Sequence, residues 1–318
     1  MKKILRVVAF AAGLLVAAAV VFAAFIHFRG IPKYEADKKD LTVKSDSAMV
    51  AHGAKLASVQ CIACHRGSDG KVSGRPLNEL PPDFGKIYSA NITQSKTNGI
   101  GQWSDGDIYV LLRTGVKPDG QFLPNYMPKF PHMSEYDMQS IIAWLRSDRP
   151  EVQASEVAKI PSEPSFLTKF LCLVAFKKIP LNAQPISEPD TTDLVAYGRY
   201  LAVGRYDCYP CHSADFKTLN QEFPEKTGGY MGGGNLMVAL DGSQRITANL
   251  TPDETGLGGW TEEDFANAMR NSKSKNGKAL RDPMLPYNGL TDLEVKAMWQ
   301  YLLTLPKIKN AVDRKWDE

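Results

Sequence analysis

The chain has 318 residues, 43% of them hydrophobic and 23% charged, with 38 Lys and Arg against 35 Asp and Glu. That balance excludes a disordered chain and a multi-span membrane protein, and the length predicts more than one globular domain. The formal charge of +3 is accounted for by Lys2, Lys3 and Arg6, so the body is neutral and lacks the concentrated basic face that a nucleic-acid partner requires.

From Val7 to Ile26 no residue is charged, and Ala, Val, Leu and Phe dominate. At about 1.5 Å per residue this run is long enough to cross a hydrocarbon core of roughly 30 Å. Residues 1–28 are therefore expected to form an N-terminal membrane anchor. The basic flank predicts a single pass through a bacterial inner membrane, with the N-terminus cytoplasmic and the body periplasmic. A cleaved signal peptide is the competing reading, since Ala17, Ala18 and Ala19 would suit a peptidase, although its apolar stretch usually spans only about 7 to 15 residues. Both readings export the body.

The rest of the chain contains one pattern twice. The first copy reads HGAKLASVQCIACH, SANIT, GIGQW, NYMPKF and SEYDMQSIIAWLRS; the second reads YGRYLAVGRYDCYPCH, TANLT, GLGGW, DPMLPY and TDLEVKAMWQYLLT. Trp103 to Met127 and Trp260 to Met284 both span 24 residues, and Trp103 to Arg113 equals Trp260 to Arg270. Two related domains follow, over residues 46–150 and 190–307. Each is expected to open with a short helix running into a cysteine motif and to close with a helix capped by Ser134 or Thr291. In the first closing helix Met138, Ile141, Ile142 and Leu145 recur at helical spacing; in the second Leu293, Met298, Tyr301 and Leu302 do, leaving Asp292, Glu294 and Lys296 for water. Between the copies, residues 151–189 are rich in proline and read as a linker. Within it FLTKFLCLVAF is apolar enough for a short helix that packs between domains or rests on a membrane. No stretch sustains the alternation of a half-buried strand, so the expected fold class is all-α.

Cys61, Cys64 and His65 form CIACH; Cys208, Cys211 and His212 form CYPCH. Two cysteines three apart reach the two vinyl groups of one haem as thioethers, and the following histidine reaches the iron. Zinc binding fits poorly, because these pairs lie too far apart for the usual second ligand pair. A thioredoxin-like pair or structural disulfides leave the two histidines in register unexplained. Two covalently bound haem c groups are the expected cofactors, with His65 and His212 as proximal ligands.

A six-coordinate electron carrier needs a second axial ligand, and Met127 and Met284 occupy equivalent places between stiffening prolines, each seven residues before the cap of the last helix. Met133, His132 and Met231 are reserves. Asn91, Trp103 and Arg113, with Asn249, Trp260 and Arg270, would suit the haem propionates, or else hold turns and fill the core. Cys172 is the odd cysteine and reads as a small hydrophobe. His52, matched by Tyr197 in the other copy, is not expected to be a ligand. GGYMGGGN, from Gly228, lacks the lysine of a phosphate loop and reads as a flexible cover near the second haem.

These motifs resemble the multihaem class I c-type cytochromes that serve as cytochrome subunits of membrane-bound alcohol, gluconate and related sugar dehydrogenases. The resemblance implies two tandem all-helical cytochrome c domains with His and Met ligands. It also implies redox partner proteins, a dehydrogenase, a terminal oxidase or another reductase. Such subunits commonly carry three haem domains and a C-terminal membrane segment, whereas this chain shows two and an N-terminal one. The leading expectation is a diheme electron carrier. One rival is a diheme oxidoreductase acting on a small sulfur compound or peroxide at an open or unusually ligated iron. Another is a haem sensor or assembly subunit. Methionines in both copies favour the carrier.

Overall fold

The computed structural model describes residues 2–312. Helix α1 (Lys2–Arg29) runs for 28 residues with almost every side chain exposed, long and apolar enough to cross a membrane. Only Ile26, near its end, is buried. The segment after it returns to the body: Tyr34 N–H donates to Gly120 O, and Phe122 N–H to Pro32 O.

The first copy contributes α2 (Ser47–Gln60), the one-turn α3 (Ile62–His65), α4 (Asp105–Thr114) and α5 (Glu135–Leu145). The second contributes α7 (Leu194–Arg199), α8 (Glu262–Asn271) and α9 (Asp292–Leu303). Their ends follow from local chemistry. Ser104 and Asp107 at α4, Thr261 and Asp264 at α8, and Thr291 and Glu294 at α9 form reciprocal capping boxes, and Ser134 caps α5. Helix α2 crosses α5, and α7 crosses α9, at one glycine each. A Cβ on Gly53 would sit 1.8 Å from Ser140 O, and one on Gly198 1.9 Å from Ala297 O, so only glycine permits this approach.

The copies differ just before the cysteines. Gly53 to Cys61 is eight residues, Gly198 to Cys208 ten. A π-helical turn, Tyr200–Arg205, lies in the longer approach, where its wider winding accommodates extra chain.

The described residues are mainly helical, as expected, with two short antiparallel pairs added. Strand β1 (Gly85–Lys86) pairs with β2 (Glu163–Pro164), and β3 (Leu236–Val238) with β4 (Gln244–Ile246). Two or three residues are too few to write an alternation into the sequence. Residues 151–189 wrap the first copy: Val152, Cys172, Phe176 and Ile179 are buried. Within them α6 (Phe166–Val174) joins Val116 and Phe122 of the first copy and Ile31 and Tyr34 below α1 in one small apolar cluster. A larger continuous core runs through both copies, from Leu56 and Trp144 to Leu201 and Met298.

Two expectations are corrected. In α9 it is Leu293 that faces solvent and Glu294 that is buried, 4% exposed, because a cluster of cations holds it from across the fold. The GGYMGGGN stretch is no loose cover. Met231, Gly232 and Gly233 are buried, Gly233 N–H donates to His212 O, and Asn235 donates from its side chain to Pro210 O.

Candidate haem-attachment sites

Helix α2 delivers Cys61 through a last helical hydrogen bond to Ala57 O, and His65 N–H then donates back to Cys61 O. This turn sets both cysteines and the histidine side by side. His65 is buried, and its Nδ1 lies 2.7 Å from Ala90 O. A carbonyl only accepts, so Nδ1 carries the proton and the Nε2 lone pair is the one available for iron. Burial pushes the His65 pKa down, against the Ala90 carbonyl, which keeps it neutral as a ligand must be. In the second copy His212 N–H donates to Cys208 O, and Nδ1 lies 2.9 Å from Ala248 O. Ala90 and Ala248 are equivalent residues, each preceding the repeated asparagine.

All five cysteines are unpaired thiols. Burial pushes Cys61 and Cys211 up to about 12, as expected of thiols set in an apolar pocket. Among the described residues no group of three His, Cys, Asp or Glu side chains is set to hold a metal ion. The donor sets therefore fit a haem held by thioethers and an imidazole better than a protein-only metal centre.

The wall around each motif repeats in outline. Asn91 accepts from the Thr93 amide and hydroxyl and donates to Ser155 O and Val157 O; Asn249 accepts from Thr251 in the same way and donates to Ile308 O. Trp103 and Trp260 are half-buried against the large core, their amides donating to Ile100 O and Leu257 O. Arg113 is buried, stacks on Tyr109 and donates to Phe130 O, Met133 O and Glu135. Arg270 donates to Leu290 O and pairs with Asp292 at 2.8 Å. The asparagines and arginines brace the loops that frame each motif.

Met127 lies between Phe122 and Phe130, and Met284 just before Tyr287; both are half-buried and packed on the core that also holds Cys61 and Cys208. Phe130 N–H donates to Leu112 O, and its equivalent Tyr287 N–H to Met269 O, so each methionine loop is tied to the helix before it. Of the reserves, Met133 and Met231 are fully buried, and His132 Nε2 lies 2.9 Å from Gln221 O. Cys172 is buried in the cluster with Val116, Phe122 and Phe176, where it packs as a hydrophobe.

A charged cluster that sequence reasoning missed lies between the copies. Arg205 pairs with Asp137 at 2.7 Å, Glu294 at 3.0 Å and Glu188 at 2.6 Å. Asp137 also meets His52 at 2.6 Å and accepts from the Tyr200 hydroxyl, while Lys55 meets Glu294 at 2.7 Å. Gln60, next to Cys61, donates to Arg205 O at 2.8 Å. For Asp137 and Glu294 burial pushes the pKa up, but their hydrogen-bonded cations and donors outweigh it and hold both carboxyls below the usual range. Asp137 and Glu294 are both the third residue of their helix, each three after its cap. That position reads as a local capping acid, which concealed the cluster.

Residues 50–148 match the family model described as cytochrome c. The chain is 27% identical over 279 residues to the cytochrome c subunit of a quinone alcohol dehydrogenase from Gluconacetobacter polyoxogenes, covering 84% of this chain and 58% of that one. It is 30% identical over 258 residues to the gluconate 2-dehydrogenase cytochrome c subunit of Pantoea cypripedii, covering 79% and 55%. A diheme cytochrome c-type protein of Cereibacter sphaeroides is 26% identical over 263 residues, covering 78% and 83%. The chain thus spans about half the length of the dehydrogenase subunits it matches.

Proposed function

Because this chain carries a cytochrome c domain and is related to cytochrome c subunits of dehydrogenases, we propose that it is a membrane-anchored diheme electron carrier with two tandem class I cytochrome c domains. Each bound haem supplies a one-electron couple. Cys61 and Cys64, and Cys208 and Cys211, hold the two haems by thioethers. His65 and His212 are the proximal ligands, oriented by the carbonyls of Ala90 and Ala248. Met127 and Met284 are the distal ligands, whose sulfur favours the reduced state and raises the potential. Asn91, Asn249, Arg113 and Arg270 keep the pocket walls rigid, and Trp103 and Trp260 stand on the propionate side.

Helix α1 is the anchor, and the basic residues at its start, Lys2, Lys3 and Arg6, set the N-terminus in the cytoplasm and the haem domains in the periplasm. The related dehydrogenase subunits point to a dehydrogenase as the donor, with an oxidase or another reductase downstream. The observation that carries this reading is the pair of imidazoles, each fixed in the same tautomer by the same residue of a repeated frame. The test is the haem content of the chain matured with haem-attachment machinery, read from intact mass and alkaline pyridine spectra. Two haems are expected, falling to one in Cys208→Ala/Cys211→Ala. A wild-type chain with a single haem contradicts the proposal.

A further inference from the structure

Helix α6 is apolar on both of its faces, and only one of them is covered. Thr168 and Cys172 point into the protein. On the opposite side Phe166 is 48%, Leu167 40% and Val174 53% exposed, with Phe170 and Leu173 half-exposed beside them. At 100° per residue these five side chains form one continuous stripe. An unpartnered stripe of this size on a nine-residue helix is costly in water and marks a contact surface.

The stripe stands beside the end of α1. The two helices pack together, Ile26 is buried, and Lys169 Nζ lies 3.5 Å from His27 O. The joint is fixed, because Ile31, Tyr34, Val116, Phe122, Leu171 and Cys172 share one apolar cluster. Around it, Phe22, Phe25 and Phe28 on α1 are exposed, and Arg29 and Lys177 are exposed cations. Apolar side chains at the level where a membrane span emerges, bordered by long cations whose stems reach headgroups, are the chemistry of an interfacial helix.

We propose that α6 is a second membrane contact, lying in the headgroup boundary with Phe166, Leu167, Phe170 and Val174 turned toward the acyl chains. This rests on α1 being the membrane anchor. The contact holds the first copy against the bilayer, so the exported body does not swing freely about the end of α1.

The test uses the haem-loaded full chain in vesicles of phosphatidylcholine with phosphatidylglycerol. Leu167→Cys, Val174→Cys, Leu14→Cys and Lys217→Cys are each labelled with a fluorophore; buried Cys172 is shielded, and the wild-type chain gives the background. Positions 167, 174 and 217 are exposed, so these substitutions leave the fold intact. Quenching by shallow nitroxide lipids is expected to be several-fold stronger at 167 and 174 than at 217. If position 14 is quenched by deep nitroxide lipids while 167 and 174 respond only to aqueous iodide, the anchor stands and the α6 contact is overturned. If 167 and 174 respond to neither quencher, protein covers the stripe and the membrane assignment is overturned. If position 14 itself escapes lipid quenchers, the anchor reading fails and this inference falls with it.

Discussion

Single residues decide the chemistry at each motif. A neutral imidazole with its Nδ1 proton given to a backbone carbonyl presents the correct nitrogen and cannot rotate without losing that bond. In the proposed ligation the distal methionine would be the weaker ligand, so its removal is the sharper probe. Met127→Ala and Met284→Ala should each lower the midpoint potential of one haem, abolish its sulfur-to-iron charge-transfer band, and leave the other haem unchanged. Potentiometric titration of each variant checks this; unchanged potentials in both would assign the sixth ligand elsewhere. The CxxCH motifs were readable because their short spacing recurs in both copies, and the structure gives both histidines the same Nδ1 bond to a backbone carbonyl. The roles of Asp137 and Glu294 were not readable. Their partners are distant in sequence, 68 residues for Asp137 to Arg205 and 239 for Lys55 to Glu294, and no periodicity records such a pairing.

At the scale of elements, the helix pairs depend on Gly53 and Gly198. Gly53→Ala sets a methyl against the Ser140 carbonyl and should cost about 1–3 kcal/mol by forcing α2 from α5. Chemical denaturation of the haem-loaded protein measures it, and a loss within error would show that the crossing has slack. The helices were legible from capping residues and apolar spacing, and α5 buries Met138, Ile141, Ile142 and Leu145 as its pattern requires. What escaped was set by tertiary contacts. The β3–β4 pair is too short to announce itself, and the glycine-rich stretch before it looks loose until its amide is seen bonded to His212 O. The proline-rich segment reads as a tether, yet its apolar residues find a surface on the first copy.

For the molecule as a whole, Arg205 is the joint. It stands between two carboxylates that occupy the same place in the two copies, and the large core continues on either side of it. Breaking a buried ion pair strands the remaining charge, so Arg205→Ala should destabilise the protein by about 3–5 kcal/mol. Equilibrium unfolding checks this, and a cost within experimental error would show that the ion pairs do not hold the joint. The same cluster sets an acid limit. Asp137 and Glu294 have folded-state pKa values below their unfolded ones, so their stabilisation is complete above about pH 4–5 and is lost as pH falls through the folded values. Thermal unfolding followed against pH should show a steep loss there that Asp137→Asn partly flattens; an equal slope in the variant would acquit the cluster. The repeat is written in the sequence, and the structure pairs α2 with α5 and α7 with α9 in it, whereas the way these pairs meet depends on unrepeated residues such as Arg205 and Lys55.

The central claim is that both irons are closed by protein ligands. Carbon monoxide binding to the dithionite-reduced, haem-loaded chain, followed by absorption, tests it most directly. The account predicts that neither haem responds. Ready binding at one haem would reveal an open or labile site and would favour a diheme oxidoreductase over a carrier.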